Sequence, residues 1–166
     1  MGILITKRGS EEMSELSSII ANGFIHNYRY FGKRVRTLSE KLSEQQFWVK
    51  PYPYGNSVGH LTLHIIGNLN HYIGAQVAQT GYVRERDREF TEGDPPPKEE
   101  VLRRLDEVVE LVTKTLEAQT TDSWGAGYSA KGMESVNDRF TMFLRCAAHF
   151  QHHIGRMIYL VNEHTN

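Results

Sequence analysis

The chain has 166 residues, 39% of them apolar and 23% charged, and a formal net charge of −1. That length and balance fit one soluble globular domain, residues 1–166, large enough for a real core. The near-zero net charge gives no electrostatic case for nucleic acid or an anionic membrane, and no stretch has the uninterrupted apolar length of a membrane span.

Met1 to Gly9 is too short and wrongly ordered for a signal peptide, although Gly2 and Thr6 formally fit the loose myristoylation pattern. Proline and glycine then divide the chain into four long helix-like segments, with no alternating strand pattern and no repeat. The first runs from about Ser10, a plausible N-cap, to about Leu38, along the apolar line Met13, Leu16, Ile20, Phe24, Phe31, Val35 and Leu38. Ser39 to Trp48 reads as a short extra helical turn before Pro51-Tyr-Pro-Tyr-Gly55 breaks the chain.

The second segment, from Asn56 or Ser57 to about Thr80, contains no Asp, Glu, Lys or Arg. A helix without charges has no solvent face, so it is central, covered by a partner subunit, or both. Gly81 ends it, and the charge alternation Arg84 to Phe90 reads as a solvated, self-paired loop. The third segment starts with Pro97 in its first helical position and carries the narrow seam Val101, Leu105, Val108, Val112 and Leu116. Thr120 to Gly132 reads as a loop. The fourth segment, about Ser135 to Asn162, has a main apolar line through Val136, Phe140, Phe143, Ala147, Phe150, Ile154 and Val161. Beside it runs a second lane: Met142, Cys146, His149, His153, Met157 and Leu160. Four such segments predict an all-α antiparallel four-helix bundle.

Eight histidines are the compositional outlier. His149 and His153 stand one turn apart inside an apolar lane, where an unpartnered ring costs stability and where two imidazoles at that spacing can grip one metal ion. In the second segment His60, His64 and His71 fall within about 40° of one another on a helical projection. One or two of them together with His149 and His153 would make a three-ligand divalent metal site with a position left for water or substrate. The plainer alternative is a set of core and boundary histidines bonded to carbonyls or water. His26 and His164 have no helical histidine partner. No His-Glu-x-x-His sequence occurs, and neither histidine-bearing segment has the Glu-x-x-His pairs of di-iron bundles. Cys146, the single cysteine, three residues before His149 on the same lane, is read as a small buried hydrophobe in a reducing, cytoplasmic protein, with a thiolate ligand or nucleophile as the alternative.

Asn56-Ser57-Val58 leading into His64-Ile-Ile-Gly67-Asn68 resembles the second-helix motif of the DinB/YfiT-like superfamily of bacterial four-helix proteins. Arg86-Asp87-x-Glu89-Phe90 is similar to the segment that follows in one uncharacterised branch, and His149-x-x-x-His153-x-Gly155 to the last-helix motif. Phe47-Trp48 with Pro51 falls where members place a Trp-x-x-Pro-like entry. The resemblance spans roughly residues 16–160. It implies one divalent metal, commonly nickel or zinc, held by one histidine of helix two and two of the last helix, which position by position are His64, His149 and His153. It also implies a homodimer, and in some relatives thiol-dependent S-transfer or isomerisation with a low-molecular-weight thiol. Members often carry Gln after the last-helix glycine, where this chain has Arg156, either facing outward or meeting an acidic substrate group.

The resulting expectation is a metal-dependent enzyme of the S-transferase or hydrolase type acting on a small electrophilic molecule. A metal-activated thiol or water would be the attacking group, with His60 and His71 as supporting or proton-transfer residues. The rivals are a non-catalytic dimeric bundle with a structural metal or none, and a stress-related interaction module.

Overall fold

A computed structural model describes residues 7–91 and 94–165; the Gly2 to Thr6 pattern lies outside them. Among the described residues the fold is all-helical, without a strand, apart from an isolated antiparallel bridge between Gly127 and Asp138. The long elements are α1 (Lys7–Ser39), α3 (Val58–Leu69) continued by a π-helical stretch (Asn70–Ala75), α5 (Lys98–Glu117) and α7 (Arg139–Thr165). Three short helices, α2 (Glu44–Trp48), α4 (Arg88–Thr91) and α6 (Thr121–Trp124), lie in the connections. α1 packs on α5 and α7, and α3 packs on the same two helices. No helix of the described residues is long and apolar enough to cross a membrane.

The α5 seam is buried as expected at Val101, Leu105, Val108, Val112 and Leu116. Helix α1 departs from its apolar line. It begins at Lys7, so Ser10 lies inside the helix rather than capping it. Met13 and Leu16 are about half exposed, while Ser17, Ala21, Ile25 and Tyr28 face the core. The small residues are needed there because α6 brings in Trp124, whose indole N–H donates to Ser17 Oγ at 2.8 Å. The Trp124 ring then stacks with Phe24 and meets Phe143 edge-on. Tyr28, fully buried, spends its hydroxyl on the Phe143 carbonyl at 2.8 Å. Phe140, expected in the core, is 39% exposed.

α3 starts where Ser57 caps it: Ser57 Oγ accepts from His60 N–H at 3.1 Å, and His60 Nδ1 accepts from Ser57 N–H at 3.4 Å. His60 thus fills the position of the acid in a capping box. Gly59 lets α2 press onto this first turn, since a Cβ there would come 2.5 Å from the Trp48 ring. All of α3 except Leu63 is buried within the single chain. Its lack of charges is therefore explained by a central position, with no partner subunit required. Regular helix ends at Leu69, and the π stretch ends at Ala75, short of the expected Thr80. Pro97 precedes α5 as its cap residue rather than opening it.

Ser57→Ala is expected to destabilise the fold by about 1 kcal/mol, the usual cost of a lost N-cap. Urea unfolding checks this, with Ser57→Asp, which can still accept the capping bond, expected to recover most of the loss.

Candidate metal centre

Three ring systems meet at one point between α3 and α7. His64 Nε2 lies 3.0 Å from His149 Nε2, which in turn lies 3.2 Å from His153 Nε2. The three potential ligand atoms all fall within 4.8 Å of one another. His64 and His153 are buried and His149 is half-buried, so the cluster touches solvent mainly along the His149 side. Helix α7 supplies two of the rings because residues four apart sit above one another on one face.

The partner of His64 on its other side comes from the Arg84 to Phe90 segment, which is self-paired through Arg84–Glu89 and Arg88–Glu85 as expected but, contrary to a solvated loop, turns Glu89 inward. Glu89 on α4 is buried, its Oε2 2.8 Å from His64 Nδ1. Arg84 grips the same carboxylate with two bonds, Nε to Oε1 at 2.7 Å and Nη2 to Oε2 at 2.9 Å. Gly67, one turn beyond His64, makes room: a Cβ at that position would overlap the Glu89 carboxylate. Phe90 lays its ring against His64, centroids 5.1 Å apart. Burial alone would raise the Glu89 carboxyl, but the bonds from His64 and Arg84 outweigh it and hold the group below the ordinary carboxylate range. An ionised Glu89 makes His64 Nδ1 the protonated nitrogen and leaves the Nε2 lone pair facing the other two rings. This is the carboxylate–histidine arrangement that orients a metal-binding imidazole.

Burial pushes His149 down to about 4 and His153 down to about 3, assisted by the positive charge of neighbouring histidines and arginines. Both rings are therefore neutral at neutral pH. A cation at this point would engage one ring nitrogen from each of the three histidines. Around a tetrahedral ion with nitrogens at about 2.0–2.1 Å, ligand nitrogens are about 3.3–3.4 Å apart. The observed 3.0 and 3.2 Å need only slight opening. The residues fit a metal ion, and His64, His149 and His153 could hold one. Among the described residues His153 Nδ1 is buried without a hydrogen-bond partner, so its tautomer, unlike that of His64, is not set by a second group.

In the metal-free protein these depressed values predict an acid-sensitive fold. Unfolded histidines titrate near pH 6.5, whereas His149 and His153 stay neutral in the folded chain until about 4 and about 3. The unfolded state therefore binds more protons, and stability is complete above about pH 6.5 and falls as pH drops below it. The downward shifts of His60 and His71 act in the same direction. Urea midpoints of chelator-treated protein at pH 7.5 and 5.0 test this. A lower midpoint at pH 5.0 is expected, with a smaller difference in His149→Ala.

Of the other sequence candidates, His60 is tied up at the start of α3. The Ser57 hydroxyl lies 2.5 Å from its Nδ1, and its ring stands edge-on to Trp48. His71 lies in the π stretch, half-buried against Tyr72, within reach of the Arg84 and Glu89 charges. Tyr72 is buried and Tyr159 is 77% exposed. Cys146 is fully buried, burial pushes its thiol up to about 12, and its sulfur rests on Met142 Sδ at 3.9 Å, as expected of a small hydrophobe. Glu89 and Arg84 were missed because an alternating charge run looks the same whether solvated or folded inward. Two signals pointed to Glu89: its place in the family-like Arg86-Asp87-x-Glu89-Phe90 stretch, and a glycine inside α3 facing a segment with an acid to place.

A family model described as the DinB superfamily matches residues 28–157 of the chain. No curated protein matches it.

Proposed function

Since the chain belongs to the DinB superfamily, we propose that it binds one divalent metal ion, nickel or zinc, on His64, His149 and His153. In this reading the four long helices run as an antiparallel bundle, and the protein is a metal-dependent enzyme of the thiol S-transferase or hydrolase type. The observation that carries it is the convergence of three imidazoles whose α3 member is oriented by a buried, ionised Glu89. When bound, the ion supplies Lewis acidity that lowers the pKa of a coordinated thiol or water.

The chain's own residues supply the rest. Glu89 keeps the His64 Nδ1 proton in place, and Arg84 neutralises the buried carboxylate. Phe90 shields the His64 ring from water. His71, half-buried beside this pair, is the better placed group for moving a proton, and His60 supports the start of α3. The substrate is a small electrophile, with a low-molecular-weight thiol as the second reactant. A cytoplasmic homodimer belongs to the same reading; exposed Leu16, Ile19, Phe140 and Leu144 on α1 and α7 support an interface, and the lone buried cysteine supports a reducing compartment.

Elemental analysis of untagged protein tests the metal, with about one nickel or zinc per chain expected. Thiol-dependent turnover over a panel of electrophiles tests the chemistry, and light scattering tests the dimer. Stoichiometric metal that raises the melting temperature without turnover on any thiol or electrophile would leave a structural metal in a non-catalytic bundle.

A further inference from the structure

A cavity of about 630 Å³ lies between the α2–α3 connection and the second half of α7. That size suits a small-molecule ligand. Lys50 and Arg156 both line it, and among the described residues neither forms an ion pair. The acid in the lining, Glu163, is two turns along α7 from Arg156, about 10 Å by helical rise. Val49, Pro51 and Leu160 give the same cavity an apolar wall.

Both cations connect this cavity to the three histidines. Lys50 Nζ donates to the Phe90 carbonyl at 3.4 Å, and the Phe90 ring covers His64. Arg156 follows His153 by three residues on α7, less than one helical turn further along. Two unpaired cations beside an apolar wall match an amphipathic anion, because the carboxylate gains charge-assisted bonds while the body leaves water.

We propose that this cavity binds the substrate as a small organic acid, its carboxylate held by Lys50 and Arg156 and its apolar body on Val49, Pro51 and Leu160. The inference deepens the proposed function and rests on it for placing the acid's reactive end toward the histidines.

The probes are 3-phenylpropionate and its uncharged isostere 3-phenylpropionamide, titrated into chelator-treated and zinc-loaded protein and followed by amide NMR shifts. The acid is expected to bind about tenfold more tightly than the amide, with shifts at Val49, Tyr52 and Leu160. Lys50→Gln and Arg156→Gln, both at exposed positions, are each expected to weaken the acid roughly three- to fivefold and leave the amide unchanged. Equal binding of acid and amide, or acid binding indifferent to both substitutions, overturns the proposal. Acid binding that appears only with zinc also overturns it, by placing the carboxylate on the ion, and leaves the metal reading intact. Acid binding kept by a protein that takes up no metal removes the proposed function and upholds the cavity.

Discussion

Gly67→Ala is expected to destabilise the protein by about 3–5 kcal/mol, as for a broken buried ion pair, and to weaken metal binding about 10–100-fold. The new methyl would occupy the place of Glu89 Oε1, and it would also stand 2.9 Å from the carboxyl carbon and 3.3 Å from Arg84 Nε. The carboxylate is held on three sides and buried, so it cannot swing away without breaking its bonds to His64 and Arg84. Leaving Arg84 unpaired in a buried position is the costly part. Gly155→Ala on α7 is the matched control. Nothing lies within 4 Å of a Cβ added there, so helix propensity should make it neutral or stabilising by up to about 1 kcal/mol. Urea unfolding and a competitive metal titration on both variants decide the matter. A Gly67→Ala protein with unchanged stability and affinity would mean that Glu89 does not position His64.

Removal of a ligand should have the larger effect on metal and a smaller one on the fold. His64→Ala and His153→Ala are each expected to lose more than about 100-fold in metal affinity, beyond the range seen when only an orienting partner is removed. The two should differ once metal is absent. His64→Ala leaves Glu89 with one bond fewer, so metal-free stability falls. His153→Ala also removes a buried nitrogen that has no partner, which offsets part of the lost packing. Elemental analysis with urea curves on chelator-treated protein separates the two readouts. Full metal content in both variants would place the ion elsewhere.

The parts of the fold legible in the sequence are those set by local periodicity. The α5 seam was plain because large apolar residues recur at helical spacing with charges elsewhere. The His149/His153 pair was plain because two polar rings interrupt an apolar lane. His64 stood apart from His60 and His71 only through the family motif, since a helical projection places all three on one strip. In the structure His60 caps the start of α3 and His71 lies in the π stretch. What stayed hidden depends on contacts distant in the chain. Trp124 meets α1 at Ser17, more than a hundred residues away, and so moves the buried face onto small residues that no apolar count selects. Glu89 becomes an interior group only because Gly67, on another helix, leaves room for it.

The residue that orients His64 is carried by a four-residue helix in the connection between α3 and α5. So short a helix has no stability of its own. In the proposed metal-bound protein its order and the occupancy of the three-histidine point would be linked, and linkage is reciprocal: whatever affinity an ion gains from a settled 84–90 segment, that segment gains in protection from the ion. A protease cutting between Arg84 and Arg88 would therefore act as a reporter of metal occupancy, slow on the loaded protein and fast after chelation.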